Sequence, residues 1–141
     1  MGTDRAQRFV EALARLEEHG ELEPLLELFG DDAQVSNVAS HRTFQGREGA
    51  RQFWREYKAT LKQVKSTFRN RIEAGDRVAL EWESSGTAHN GAAVNYEGVS
   101  IIEWEGDQIS RFYAYFDPHV LGLELSAGTA RRTEVPATTP A

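Results

Sequence analysis

The chain has 141 residues, no cysteine, and a formal net charge of −6 with its charged residues spread along the length. The lack of cysteine excludes disulfides, thiolate metal sites and a cysteine nucleophile, and without a block of Lys or Arg to neutralise phosphates no nucleic acid partner is expected. No apolar run approaches the roughly 20 residues of a membrane span and MGTDRAQRF has no signal-peptide core, so a cytoplasmic protein with no membrane partner is expected.

In chain order, Thr3 and Asp4 are set to cap a helix running to about His19, which buries Phe9, Leu13 and Leu16 and stops at His19-Gly20. A second helix follows, with Pro24 in its first turn and Leu22, Leu25, Leu28 and Phe29 at helical spacing, until Gly30-Asp31-Asp32 breaks it. Ala33 to Val38 reads as a brief strand, and Ser40 to Gly46 as a polar connection. A third helix, about Arg47 to Leu61, gathers Ala50, Phe53, Trp54, Tyr57 and Leu61 on one side.

Alternating strands come next. Val64, Ser66, Phe68, Asn70 and Ile72 alternate with Lys65, Thr67, Arg69 and Arg71 up to the turn Ala74-Gly75-Asp76, then Val78, Leu80 and Trp82 alternate with Glu81 and Glu83. Asn90-Gly91 marks a further hairpin. From Val94 to Asp117 two strands meet at Glu105-Gly106-Asp107-Gln108: Tyr96, Gly98, Ser100, Ile102 and Trp104 share one face of the first, and Phe112, Ala114 and Phe116 one face of the second. The pattern predicts an α+β domain, three N-terminal helices on a strongly curved antiparallel sheet, over residues 1–128, with a flexible Thr/Pro/Ala-rich tail at 129–141. Arg69, Arg71, Glu81, Glu83, Glu103 and Arg111 fall on the far face, where a solvated surface is favoured over a dimer interface.

By parity Trp54, Tyr57, Phe68, Trp82, Tyr96, Phe112 and Phe116 all point inward, interrupted by Asn37, Ser66, Ser100 and Ala114. A dry core seldom holds a hydroxyl and an amide without partners, since each unpaired group costs about 1–3 kcal/mol. A pocket is therefore favoured over a filled core, with Asn37, Trp54, Tyr57, Trp82, Tyr96, Ser100, Phe112 and Phe116 as candidate ligand-binding residues.

The element order, Leu28-Phe29-Gly30-Asp31-Asp32-Ala33, Phe44-Gln45-Gly46, Gly98-Val99-Ser100, Gly106-Asp107-Gln108-Ile109 and Tyr115-Phe116-Asp117 together resemble the SnoaL-like branch of the nuclear transport factor 2-like superfamily over about Arg8 to Leu125. The resemblance implies a cone: helices closing a bent sheet around an apolar cavity, often in a homodimer. Because that fold serves polyketide cyclases, ketosteroid isomerases, epoxide hydrolases and binders alike, it assigns no chemistry. The isomerase general base falls on Asn37, its oxyanion Tyr on Leu13 and its sheet acid on Ser100, while the cyclase Asp falls on Ala114. Asn accepts no proton at neutral pH and Leu has no donor, so chemistry of either type is not expected.

Other polar residues have plainer readings. Asp117-Pro118 suits a helix start, with His119 on that helix, and His41 suits a surface loop. His19-Gly20-Glu21 matches half of an iron-binding motif but sits at a helix end without a distal His, and no phosphate loop, nucleophile elbow or zinc motif occurs. No metal or cofactor is expected. Two functions remain: a pocket protein for a flat, largely apolar ligand with a carbonyl or hydroxyl, or an enzyme of the polyketide cyclase, isomerase or hydrolase type acting on a hydrophobic substrate, with Asp117, His119 or His41 as its acid or base.

Overall fold

The structure is a computed structural model that describes residues 4–40 and 42–121. His41, the 129–141 tail and the proposed boundary at residue 128 lie outside the described residues. Helix α1, Arg5–His19, starts where the Asp4 carboxylate accepts the Gln7 N–H at 3.2 Å. Arg71 also donates to Asp4, at 2.6 Å, tying the helix start to the sheet and holding the Asp4 carboxyl below its ordinary range. The helix ends at Gly20, whose φ of 71° lets its N–H turn back onto the last carbonyls, as a Cβ would not readily allow.

Helix α2 is a single turn, Glu23–Leu26, and not the longer helix that the leucine spacing predicts. The chain leaves it because the Leu28 carbonyl is captured by the Ile109 N–H at 2.6 Å and Phe29 pairs with Ile109, opening strand β1, Phe29–Asn37. Asp31 and Asp32, expected to stop a helix, are exposed residues in an irregular part of that strand. The polar connection holds a two-residue strand β2, Phe44–Gln45, paired to Val35 and Gln34. Helix α3 then spans Gly46–Thr60 and buries Ala50, Phe53 and Trp54.

Strands β3 (Gln63–Ala74), β4 (Arg77–Thr87), β5 (Ala93–Glu105) and β6 (Gln108–Phe116) are the long antiparallel strands expected. The six-stranded sheet has the order β2-β1-β6-β5-β4-β3, and β1 joins it parallel to β6, so the sheet is mixed rather than wholly antiparallel. Register shifts at Phe68/Asn70 and Glu103/Trp104 add the local twist that bends a sheet around its helices. The result is the α+β cone. Phe9, Leu16, Phe29, Val35, Leu80, Ile102 and Ile109 fill the core between helices and sheet. Among the described residues, no helix is long and apolar enough to cross a membrane.

Register arranges the inner face in rows. Phe68, Trp82, Gly98 and Phe116 form one row, and Leu80, Ser100, Ala114 and Asn37 another. Ser66, Ser84 and Tyr96 form a third. Gly98 is required in the first because a Cβ there would stand 2.3 Å from the Tyr115 carbonyl oxygen and 2.7 Å from the Trp82 ring. Trp82 thus lies against bare backbone.

Candidate functional site

The rows place small groups opposite the apolar stripe of α3, and a cavity of about 320 Å³ opens there. Its size is that of a small-molecule site. Asn37, Trp54, Tyr57, Trp82, Tyr96, Phe112 and Phe116 all line it, together with Phe44, Phe53 and Ala114. Glu56 is the one charged side chain among the described lining residues, and it is shared with Arg42 at 3.3 Å toward solvent.

The aromatic residues form two packed groups. On the helix side Trp54 meets Phe53, Phe112 and Tyr57 with ring centres 4.9, 5.1 and 5.4 Å apart, all near edge-to-face. On the strand side Trp82 meets Tyr96 at 5.5 Å and Phe116 at 6.3 Å. Interlocked rings of this kind hold a preset shape. Trp54 is 2% exposed, and among the described residues nothing accepts a hydrogen bond from its Nε1.

The polar candidates are placed differently from one another. Asn37 lines the cavity, but its Oδ1 already accepts the Ala39 N–H at 2.9 Å, leaving the amide nitrogen as the group it can offer. Ser100 lies one layer deeper, 4% exposed, and accepts the Trp82 indole N–H at 2.9 Å. It sits beside a void of only about 30 Å³, shared with Phe9, Leu13, Ser66 and Ser84. Ser100 therefore holds a wall rather than forming one.

Glu17 is a functional candidate that the sequence reading did not single out. Only 7% exposed on α1, it accepts three hydrogen bonds: from the Tyr57 hydroxyl at 2.5 Å, the Ser66 N–H at 2.8 Å and the Ser66 hydroxyl at 2.7 Å. Ser84 joins the cluster through Ser66 at 2.7 Å. Burial, and then the nearby Glu17 charge, push the Tyr57 hydroxyl well above its ordinary pKa, and burial pushes Tyr96 up to about 12. Both phenols stay protonated at neutral pH. The available signal was spacing: Glu17 follows Leu13 by four and Phe9 by eight, on the buried stripe of the helix. Ser84 continues the alternation of Val78, Leu80 and Trp82 in the same way.

The remaining candidates stand apart. The Asp117 Oδ1 accepts the His119 N–H at 3.0 Å where residues 118–121 turn helical, the capping role expected of it, and both residues are exposed. His19 is exposed at the end of α1. Among the described residues no group of three or more His, Asp or Glu is placed to hold a metal ion.

Comparison with known proteins accords with this geometry. The SnoaL-like domain family matches residues 6–112. No curated protein matches the chain. Among solved structures, TerC co-crystallised with polyporic acid is 17% identical with a TM-score of 0.75, covering 87% of this chain and 99% of its own. A protein of ketosteroid isomerase-like fold from Catenulispora acidiphila, in complex with trimethylamine, is 22% identical with a TM-score of 0.73, covering 84% and 92%. An epoxide hydrolase from M. tuberculosis, described as LEH-like, is 18% identical with a TM-score of 0.68, covering 88% and 91%. At these identities the likeness is one of fold. With the family matched over most of its length and the cone and cavity in place, the chain belongs to the SnoaL-like domain family.

Proposed function

We propose that the domain is a pocket protein that binds a flat, largely apolar small molecule carrying a carbonyl or hydroxyl, between α3 and the inner face of the sheet. The observation that carries this reading is the convergence of Trp54 and Tyr57 from α3 with Trp82, Tyr96, Phe112 and Phe116 from three strands on one cavity of about 320 Å³. Interlocked aromatic walls favour a flat ligand. Asn37 offers its amide nitrogen, and Ser100 acts through Trp82. TerC, which shares the fold, was crystallised with an organic acid, which supports an organic ligand here.

Titration of tryptophan emission with a panel of steroid-like and aromatic polyketide-like compounds tests the reading. Wild type is expected to bind at least one member below millimolar. Trp82→Leu, which removes an aromatic wall, should weaken binding about three- to tenfold. The reading fails when no member binds, or when affinity is unchanged in Ser100→Ala and Trp82→Leu alike.

The enzyme alternative is favoured by one observation, the buried carboxylate of Glu17 in contact with a cavity-lining phenol. Turnover of a panel member that disappears in Glu17→Gln while binding persists would establish it. The reading also carries a homodimer and a cytoplasmic location, tested by light scattering of the purified protein and by cell fractionation.

A further inference from the structure

The turn between β4 and β5 holds the pair Asn90-Gly91, both exposed. Gly91 donates its N–H to the Ala88 carbonyl at 2.9 Å and the Ala88 N–H donates to the Ala92 carbonyl at 2.8 Å, so His89, Asn90 and Gly91 make a three-residue loop. Within it the Asn90 Oδ1 accepts the Ala92 N–H at 2.9 Å. That bond folds the side-chain amide back along its own backbone.

An amide so placed is open to attack by the nitrogen of the next residue. The Gly91 nitrogen, after giving its proton to a solvent base, bonds to the Asn90 Cγ; the Cγ–Nδ2 bond then breaks, and the nitrogen takes up a proton and leaves as ammonia. Water opens the resulting five-membered ring at either carbonyl, which leaves aspartate or isoaspartate, so the whole change consumes one water and releases one ammonia. The Ala92 N–H polarises the attacked carbonyl and holds the oxyanion that forms on it. Gly91, at a φ of 92°, has no side chain to crowd the closing ring. Its bond to Ala88 must open first, and a bond in an exposed turn opens locally at small cost.

Asn37 is a control within the same chain. Its Oδ1 accepts the Ala39 N–H at 2.9 Å, the same contact two residues on, but the attacking nitrogen there would be that of Val38, which is β-branched and bonded to the Ala114 carbonyl at 3.0 Å. Asn70 and Asn95 lie within β3 and β5 and precede Arg71 and Tyr96.

The loop is also a fastening. Ala88 and Val94 at its base are wholly buried with Leu61 and Val64, against Tyr57 and Tyr96, and the His89 Nε2 donates to the Ala59 carbonyl of α3 at 2.7 Å. Isoaspartate carries the chain through its side-chain carbon and lengthens the loop by one backbone atom, which disturbs the register that the loop sets. We propose that Asn90 is a site of spontaneous deamidation, and that the isoaspartate it yields unfastens the β4–β5 turn from the end of α3. The site is separate from the cavity and does not depend on what the cavity holds.

Full-length protein kept folded at mildly alkaline pH and sampled over days, with peptide mapping by mass spectrometry and isoaspartate methyltransferase labelling, tests this site. Asn90 is expected to convert first, to both aspartate and isoaspartate, about tenfold faster than Asn37 and faster still as pH rises, while Asn70 and Asn95 stay intact. Asn90→Gln, whose longer side chain cannot close the five-membered ring, should take no label. Ion exchange isolates the converted fraction by its added negative charge. Its urea midpoint should fall below that of fresh protein, whereas Asn90→Asp, with the same charge and an ordinary backbone, stays near wild type. An Asn90 that remains intact in folded protein while it converts in urea, or an Asn37 that converts as fast, overturns the site; equal midpoints for converted and fresh protein overturn the unfastening.

Discussion

The Tyr57 hydroxyl donates to the Glu17 carboxylate at 2.5 Å, joining α3 to α1 above the inner face of the sheet. Because Ser66 on β3 bonds both oxygens of the same carboxylate, one side chain ties two helices and the sheet together. Glu17→Ala would leave three buried donors without their acceptor and is expected to cost about 3 kcal/mol or more, whereas Glu17→Gln, which retains an acceptor oxygen, should cost less than half as much. Urea unfolding of the two variants beside wild type measures the difference. An Ala midpoint equal to that of wild type would show that the cluster contributes no stability.

Gly98 carries a steric prediction. A methyl there meets the Tyr115 carbonyl and the Trp82 ring within bonding-like distances, so Gly98→Ala should destabilise the fold by about 1–3 kcal/mol and tilt Trp82 out of its seat. The Trp82–Ser100 bond would go with it. A lowered melting temperature together with a shift in tryptophan emission is the expected signature, and a variant that matches wild type in both would contradict the packing.

Alkaline stability follows from the two raised phenols. Unfolded, each tyrosine ionises near 10, while folded Tyr96 holds its proton to about 12 and Tyr57 is also raised. Between those values the unfolded chain has fewer protons than the folded one, so stability is full below pH 10 and falls as pH rises toward 12, by up to about 1.4 kcal/mol per pH unit for each tyrosine. In Tyr96→Phe the decline should be shallower over that window. Unfolding midpoints at pH 9, 10, 11 and 12 give the slope, and an unchanged slope would remove Tyr96 from the account.

Ketosteroid isomerase activity is expected to be absent. Leu13 and Asn37 occupy the places that the resemblance gives to the oxyanion donor and the base. Leu13 is buried beside the small void, and Asn37 has its carbonyl engaged with Ala39. A spectrophotometric assay with a β,γ-unsaturated ketosteroid should show no enzyme-dependent conversion, and turnover like that of a true isomerase would refute the residue assignment.

Much of this architecture is legible in the sequence because alternation and turn glycines are local signals. Trp82, Tyr96, Phe112 and Phe116 face inward as their parity requires, and α3 presents Trp54 and Tyr57 to the same cavity. The end of α2 is not legible, because Leu28 and Phe29 are drawn out of helical spacing by Ile109, far along the chain. Glu17 escapes notice for a related reason. Glu beside Glu18 near a helix end reads as surface, and only donors from α3 and β3 make its burial tolerable. Ser100 is rightly placed inside, but the partner that claims its hydroxyl is the Trp82 indole.

The parallel pairing of β1 with β6 has a consequence for how the molecule is made. One wall of the cavity, where Asn37 stands beside Ala114, joins the first strand of the described residues to the last. During synthesis β1 leaves the ribosome without the neighbour that satisfies its backbone, and it waits until β6 emerges. The β3–β6 hairpins can form from near neighbours, but closing this seam must overcome the entropy of a loop spanning most of the domain, so it is expected to form late in folding. A nascent chain stalled before β6 would therefore present β1 as an open edge, the stage at which strand-to-strand aggregation threatens it most.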